Sequence, residues 1–189
     1  MPVNQLVLHP RDPDAAPEPY LLRERLAEID FIDPQPFRFD GNPHYRPGGE
    51  FLQQVTFLGC SPVVALGAPG PTGEEFCHIA FSGPYPEARL IAGDNVKTPR
   101  CRGCNQPLQG WQESTQSWLE KSVEPAPCPH CGRTDPPPAW RWRQSAGIGR
   151  VFVRVWGIFE GEAVPGERLL GHLAEAGSGD WTYFYLRKR

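Results

Sequence analysis

Residues 151–159 read VFVRVWGIF, and where this stretch sits decides the fold. Val151, Val153 and Val155 alternate with Phe152, Trp156 and Ile158, so both faces of an extended chain here are apolar. That pattern belongs to a strand covered on both sides, in the middle of a sheet. A central strand needs partners at both edges and a layer over each face, and the rest of the chain must supply them. Leu6, Val7 and Leu8 offer a short strand, and Tyr20 to Ile29 reads as a helix with Leu22, Leu26 and Ile29 on one face and Arg23, Glu24, Arg25 and Glu28 outside it. Pro34 and Pro36 end that helix, and residues 37–50 read as loop. Phe51 to Leu58 reads as a strand with Val55 and Phe57 on one face, and a Gly/Pro cluster follows at 67–73. Phe76 to Phe81 and Arg89 to Ala92 are further short strands. After Pro165-Gly166, Glu167 to Ala176 forms a helix presenting Leu169, Leu170 and Leu173, and Trp181 to Leu186 closes the chain as an aromatic strand.

The expected class is therefore α+β: a mostly antiparallel sheet with two helices. The element order suggests two β-α-β halves, an arrangement that resembles the ferredoxin-like fold, and LRERLAE at 22–28 loosely echoes LGHLAE at 170–175. Between the halves lies a block rich in cysteine and tryptophan. We divide the chain into a domain of residues 1–96 plus 140–189 and an insertion of residues 97–139. The former is large enough to bury about two thirds of its unfolded surface, whereas the insertion is too short to build a core of its own.

Four of the six cysteines fall in the insertion as two C-x2-C pairs, Cys101-Arg-Gly-Cys104 and Cys128-Pro-His-Cys131-Gly132, with 23 residues between Cys104 and Cys128. A C-x2-C turn lets two sulfurs converge on one ion, and Gly103 and Gly132 suit turns that need positive φ. The block resembles a zinc ribbon over about residues 98–135. The resemblance implies two hairpin knuckles clasping one structural Zn²⁺ through Cys101, Cys104, Cys128 and Cys131; iron in a rubredoxin-like site also fits the second knuckle. Four thiolates leave no open coordination position for substrate or water, so the metal is expected to be structural. They also leave a net charge of −2, which Arg100, Arg102, His130 and Arg133 stand ready to offset. Trp111 and Trp118, seven apart with Leu119 beside the second, suit one face of a short helix packing the insertion onto the main domain, or else a partner surface.

Composition excludes several classes. Apolar residues make up 39% and aromatics 11%, which argues against disorder, although 23 Pro and 20 Gly punctuate the chain with loops. The longest uncharged stretch, Phe51 to Gly73, holds two glutamines and three prolines, so no membrane partner is expected. The N-terminal residues lack the basic start and apolar run of a secretory signal, which points to the cytoplasm, where thiols stay free or bind metal. Sixteen arginines against three lysines hint at a GC-rich bacterial genome. The net charge of −3 predicts no polyanion partner, yet residues 97–154 carry nine basic and four acidic side chains.

Trp140-Arg141-Trp142-Arg143 interleaves aromatic and basic residues, either as a platform for single-stranded nucleic acid or as an edge strand with Trp and Arg on opposite faces. Cys77 and His78, as strand neighbours, face opposite ways and form no dyad, and Cys60 and Cys77 read as small buried hydrophobes. Asp30, Asp33 and Asp40 read as solvated turn residues. No phosphate loop, nucleophile elbow or paired-carboxylate arrangement is evident. The expected role is a non-catalytic interaction or adaptor protein with a protein partner. The alternatives are nucleic-acid binding through the ribbon and the Arg-Trp segment, and an enzyme whose cleft the sequence does not reveal.

Overall fold

A computed structural model describes residues 3–39, 41–59, 64–66 and 76–189; Asp40, Cys60 and the Gly/Pro cluster at 67–73 lie outside the described residues. In chain order the elements are β1 (Val3–Pro10), α1 (Pro19–Glu28), β2 (Phe37–Phe39), β3 (Asn42–His44), α2 (Phe51–Gln54), β4 (Val55–Phe57), β5 (Ile79–Ser82), β6 (Arg89–Ala92), α3 (Trp111–Leu119), β7 (Ala146–Gly149), β8 (Phe152–Trp156), β9 (Ala163–Pro165), α4 (Glu167–Ala174) and β10 (Trp181–Lys188). The class is α+β, with four α-helices among the described residues where the sequence pattern indicates two on the sheet. The main sheet runs β10-β1-β8-β5, and every neighbouring pair is antiparallel.

β8 is central, as VFVRVWGIF requires, and its partner at the centre is β1, with Leu6 opposite Val155 and Leu8 opposite Val153. Side-chain alternation sorts the strands into two faces. Leu6, Leu8, Ile79, Val153, Val155 and Tyr185 pack on one face against Leu22 and Leu26 of α1 and Leu169 and Leu173 of α4, all nearly or fully buried. Val7, Phe152, Phe184 and Leu186 form a separate cluster on the opposite face. Among the described residues no helix packs in this outer-face cluster; the excursion between β5 and β8 covers part of it instead.

The excursion is built as one long bent hairpin. Ile79 pairs with Val155 and Ser82 with Phe152; the arms separate at residues 83–88, re-pair as Arg89 with Gly149 through Ala92 with Ala146, and meet again at Arg100 and Arg141. β7 returns across the outer face so closely that a Cβ at Gly147 would lie 2.5 Å from the His9 and Phe184 rings. The same excursion closes the free edge of β10: Asp94 N–H donates to Arg187 O, Arg187 N–H to Asn95 Oδ1 and Tyr185 N–H to Gln144 O. An exposed edge that would template pairing with another chain is thus capped from within.

Two short segments depart from expectation. Residues 37–50 contain the β2–β3 hairpin, and Tyr45 exchanges two 2.8 Å backbone bonds with Ile79, extending the sheet past β5. Pairings only three residues long, interrupted by Pro43 and Gly41, leave too short a pattern for alternation to register. Phe51 to Leu58 is not one strand: Phe51–Gln54 is a helical turn before β4, which pairs with β9. The turn swings Gln54 inward, where its amide donates to Ile29 O at the end of α1.

α1 ends before the prolines. Asp30 takes φ +53, its N–H donates to Ala27 O and the Phe31 N–H donates to Leu26 O, which is a Schellman termination with Asp in the glycine position. Gly48 lies directly on this corner, and a Cβ there would sit 2.2 Å from Asp30 O. Gly171, by contrast, is exposed in the middle of α4 with nothing within 4 Å. Gly48→Ala should therefore destabilise by about 1–3 kcal/mol, whereas Gly171→Ala should stabilise by about 0.5–1 kcal/mol. Urea unfolding of the two variants checks the opposite signs.

Candidate metal centre

The two cysteine knuckles are built on one plan. In the first, the Cys101 N–H donates to Gln106 O and the Asn105 N–H to Cys101 O; in the second, the Cys128 N–H donates to Arg133 O and the Gly132 N–H to Cys128 O. The residue that follows the second cysteine is left-handed in both, Asn105 at φ +60 and Gly132 at φ +72. Gly132 thus has the role expected of it. Gly103 does not adopt positive φ; its lack of a side chain serves close approach, since a Cβ there would meet Arg133 Cδ at 3.0 Å and Cys131 Sγ at 3.5 Å.

The sulfurs of Cys101, Cys104, Cys128 and Cys131 all lie within 4.8 Å of one another, with Cys101 to Cys131 at 3.6 Å and Cys104 to Cys128 at 3.8 Å. These separations are far from a disulfide bond of about 2.05 Å. They match the edge of about 3.8 Å expected for a tetrahedron of sulfurs around Zn²⁺ at about 2.3 Å. The donor set fits a thiolate-ligated metal ion, and Cys101 and Cys128 are buried while Cys131 faces solvent. Backbone N–H groups of Cys104 and Gly103, with help from the neighbouring thiols, bring the Cys101 thiol down to about 7. At Cys104 the Gln106 N–H acts in the same direction, but desolvation and the sulfurs of Cys131, Cys101 and Cys128 outweigh it and push the thiol up to about 11. The cluster is thus organised for negative charge that the sulfurs cannot all carry without a cation among them.

The flanking arginines act mostly on backbone. Arg133 lies beside Cys101 and Cys131 but also pairs with Asp135, while Arg100 Nη1 donates to Asn105 O across the first knuckle. Arg141 and Arg143 reach the same region: Arg141 Nη2 donates to Arg102 O and Arg143 Nη2 to Thr98 O. Their backbone is not an edge strand, because Arg141 makes a single bridge to Arg100 and Arg143 and Gln144 are both left-handed. Trp140 and Trp142 turn inward, donating their indole N–H groups to Asp135 O and Pro137 O, each at 2.9 Å. Trp142 meets Trp111 edge to face at 5.3 Å in a third core shared with Ala146, Ile148, Trp118 and Leu90. This core draws on residues from both sides of positions 97 and 139 and ties the cysteine block to β6 and β7.

Cys77 is fully buried in the helix-side core, where desolvation pushes its thiol up to about 12, so it is an inert packing residue. His78 faces the other way, as strand alternation requires. It stacks on Trp156 at 4.8 Å and lies 4.9 Å from His44, in an aromatic group with Phe37, Phe39 and Phe76 that the sequence pattern does not reveal. The only signal was the parity of VFVRVWGIF, which places Arg154 and Trp156 opposite Val153 and Val155. Asp33 Oδ1 accepts from the Gln35 N–H in a turn, and Asp30 ends α1, so neither aspartate joins a cluster.

Comparison of the chain with protein-family models, with curated proteins and with solved structures finds no match. No helix among the described residues is long and apolar enough to cross a membrane.

Two predictions follow from these environments. Burial lowers His9 and His78 to about 4, with the carbonyls of Pro10 and Phe76 opposing the shift in each case. The unfolded chain titrates the same rings at their ordinary 6.5, so it binds more protons than the folded protein between the two values. Stability present above pH 6.5 should therefore be lost as pH falls toward 4, on the order of 2–3 kcal/mol for each ring. Urea midpoints at neutral and mildly acid pH, with proton NMR showing both rings neutral down to about pH 5, check the sign. Separately, replacing Arg141 and Arg143 together by Ala should cost about 0.5–1.5 kcal/mol, the value of their bonds to carbonyls. Neither version should bind a single-stranded oligonucleotide at low salt, where electrostatic affinity is greatest, as measured by fluorescence anisotropy.

Proposed function

We propose that the protein is a domain of ferredoxin-like topology, residues 1–96 plus 140–189, carrying a zinc-ribbon-like module of residues 97–139, and that it acts in the cytoplasm as a non-catalytic interaction protein with a protein partner. In this reading one structural Zn²⁺ is held by Cys101, Cys104, Cys128 and Cys131. The observation that carries it is the set of four sulfurs within 4.8 Å of one another, two of the separations close to the edge of a zinc–thiolate tetrahedron, because four thiolates complete the coordination shell and leave no position for substrate. The strand order supports the ferredoxin-like assignment: α1 lies in the connection from β1 to β5 and α4 in that from β8 to β10, and each connection skips one strand. The interaction role rests on the surface beside the cysteines. Here α3 and the Pro-rich segment 123–129 flank a cleft of about 300 Å³ that includes Leu108, Pro125 and Trp140, with Val123 63% exposed at its rim.

The charge of the block favours a protein over a nucleic acid. Arg100, Arg141 and Arg143 are engaged with carbonyl oxygens and Arg133 with Asp135, and Trp142 is buried, so the segment offers little free cation or open ring face.

Protein purified without added metal should contain one zinc per chain by elemental analysis, and iron in its place would change the metal while keeping the ligand set. Structural zinc contributes on the order of 10–16 kcal/mol in isolated finger peptides, and that energy acts on whatever cannot fold without it. Cys128→Ser should therefore raise amide exchange in residues 97–139 first, while Phe152–Trp156 stays protected. A well-folded ribbon without metal, or simultaneous loss of protection in β8, defeats the proposal.

A further inference from the structure

The outer face of the main sheet is covered unevenly. β7 lies over His9, Phe152 and Phe184, but at the other end of the same face Val3, Gln5, Ala80, Ser82, Arg154 and Trp156 line a cleft of about 580 Å³. That volume lies in the range of small-molecule sites. All six have the parity of the outer face, as does Lys188, which also lines the cleft.

The lining has a consistent chemistry. Arg154 and Lys188 are its charged side chains, and among the described lining residues none is acidic. Arg154 is half-buried; its Nε–H donates to Gln5 Oε1 at 2.9 Å, and no described carboxylate pairs with it. A guanidinium removed from water without a counterion is costly, and a bound anion would relieve that cost. Arg154 and Lys188 stand on strands either side of β1, opposite Val7 and Val3 respectively, so their backbones are about 10 Å apart across the sheet and about 13 Å apart along it, and their long side chains reach the same cleft. Around them the walls are flat rings: Trp156, backed by the stacked His78 and with Arg154 5.0 Å from its centroid, together with Phe39, His44 and Tyr85. Burial keeps His78, behind Trp156, neutral, and Arg154 and Lys188 supply permanent positive charge to the site.

We propose that this cleft is a binding site for a small organic anion that carries a flat unsaturated ring, its phosphate or carboxylate held by Arg154 with help from Lys188 and its ring packed against Trp156 and the neighbouring aromatic walls. The site is separate from the cysteine cluster, and this inference stands or falls independently of the metal.

The test uses the full chain as purified. Nucleoside 5′-monophosphates and 2-naphthoate serve as ring-bearing anions of the two kinds, with adenosine and 2-naphthamide as neutral counterparts and inorganic phosphate as the ringless anion. Titrations are followed by calorimetry and by the Arg154 Nε–H resonance. At least one ring-bearing anion should bind and move that resonance, and whether a phosphate or a carboxylate does so identifies the head group. Its neutral counterpart should bind at least about tenfold more weakly, the scale of one charge-assisted contact, and inorganic phosphate at least about fivefold more weakly, the scale of one aromatic stacking contact. Arg154→Gln should weaken the bound anion about 10- to 100-fold on the same scale. Lys188 is exposed and is expected to tolerate replacement, so Lys188→Glu provides a second reading should Arg154→Gln fail to fold, and it should weaken the bound anion at least about tenfold. The proposal is overturned if no ring-bearing anion binds at millimolar concentration, if a neutral counterpart or inorganic phosphate binds equally well, or if either variant that folds binds as the wild type does.

Discussion

β1 and β8 lie side by side at the centre of the sheet with apolar side chains on both faces, and most of the architecture is a response to that pairing. Leu6, Leu8, Val153 and Val155 need cover on one side, and Val7 and Phe152 need it on the other. Each such side chain contributes about 1.5–3 kcal/mol when fully buried, so leaving either face wet would cost a large share of the stability of a domain this size. The two β-α-β connections bring both helices to one face. The second face is left to the excursion between β5 and β8, whose returning arm lies on Phe184 and whose outgoing arm caps β10 through Asp94 and Asn95. The segments that flank the insertion on both sides, around residues 89–95 and 144–149, are thus structural cover for the main sheet.

What was legible in the sequence follows from pattern length. β8, α1, α4 and β10 each repeat their apolar period over two or more turns or pleats, and each lies where that period places it. The strands that escaped are β2, β3, β7 and β9, none longer than four residues and all containing Gly or Pro or lying next to one, and the single helical turn of α2 reads as strand in the sequence. Their partners are remote in sequence or their period is too short to emerge. Ala146–Gly149 is the clearest case, because a Cβ at Gly147 would run into His9 and Phe184 where the strand crosses them, and its glycines leave no apolar period. The cysteine ligand set was legible because coordination chemistry imposes spacing within each knuckle. The cleft on the outer face was not, since its residues come from six strands and a loop brought together only by register and tertiary packing.

The cysteine block also shows how charge can be misread from composition. Nine basic side chains between residues 97 and 154 look like a surface for a polyanion, yet several of them donate to carbonyl oxygens of the first knuckle and of the segment just before it. A guanidinium with five donors in a rigid fork suits this use, because it can tie together loops that have no sheet or helix to order them. The indoles of Trp140 and Trp142 do the same from within, each satisfying a carbonyl near the Pro137–Ala139 turn.

Ser82 and Phe152 are partners in the ladder, so residues 83–151 leave and re-enter the sheet at neighbouring points on adjacent strands. Topologically the whole segment stands where a two-residue turn would suffice. Closing a loop costs free energy that grows only as the logarithm of its length, so enlarging such a turn step by step imposes little penalty on the sheet that holds it. A β5–β8 hairpin is therefore a port at which material can be gained or exchanged without reordering the four strands. In this chain the arms then became a lid over the outer face, and the port can no longer be shortened without uncovering Phe184.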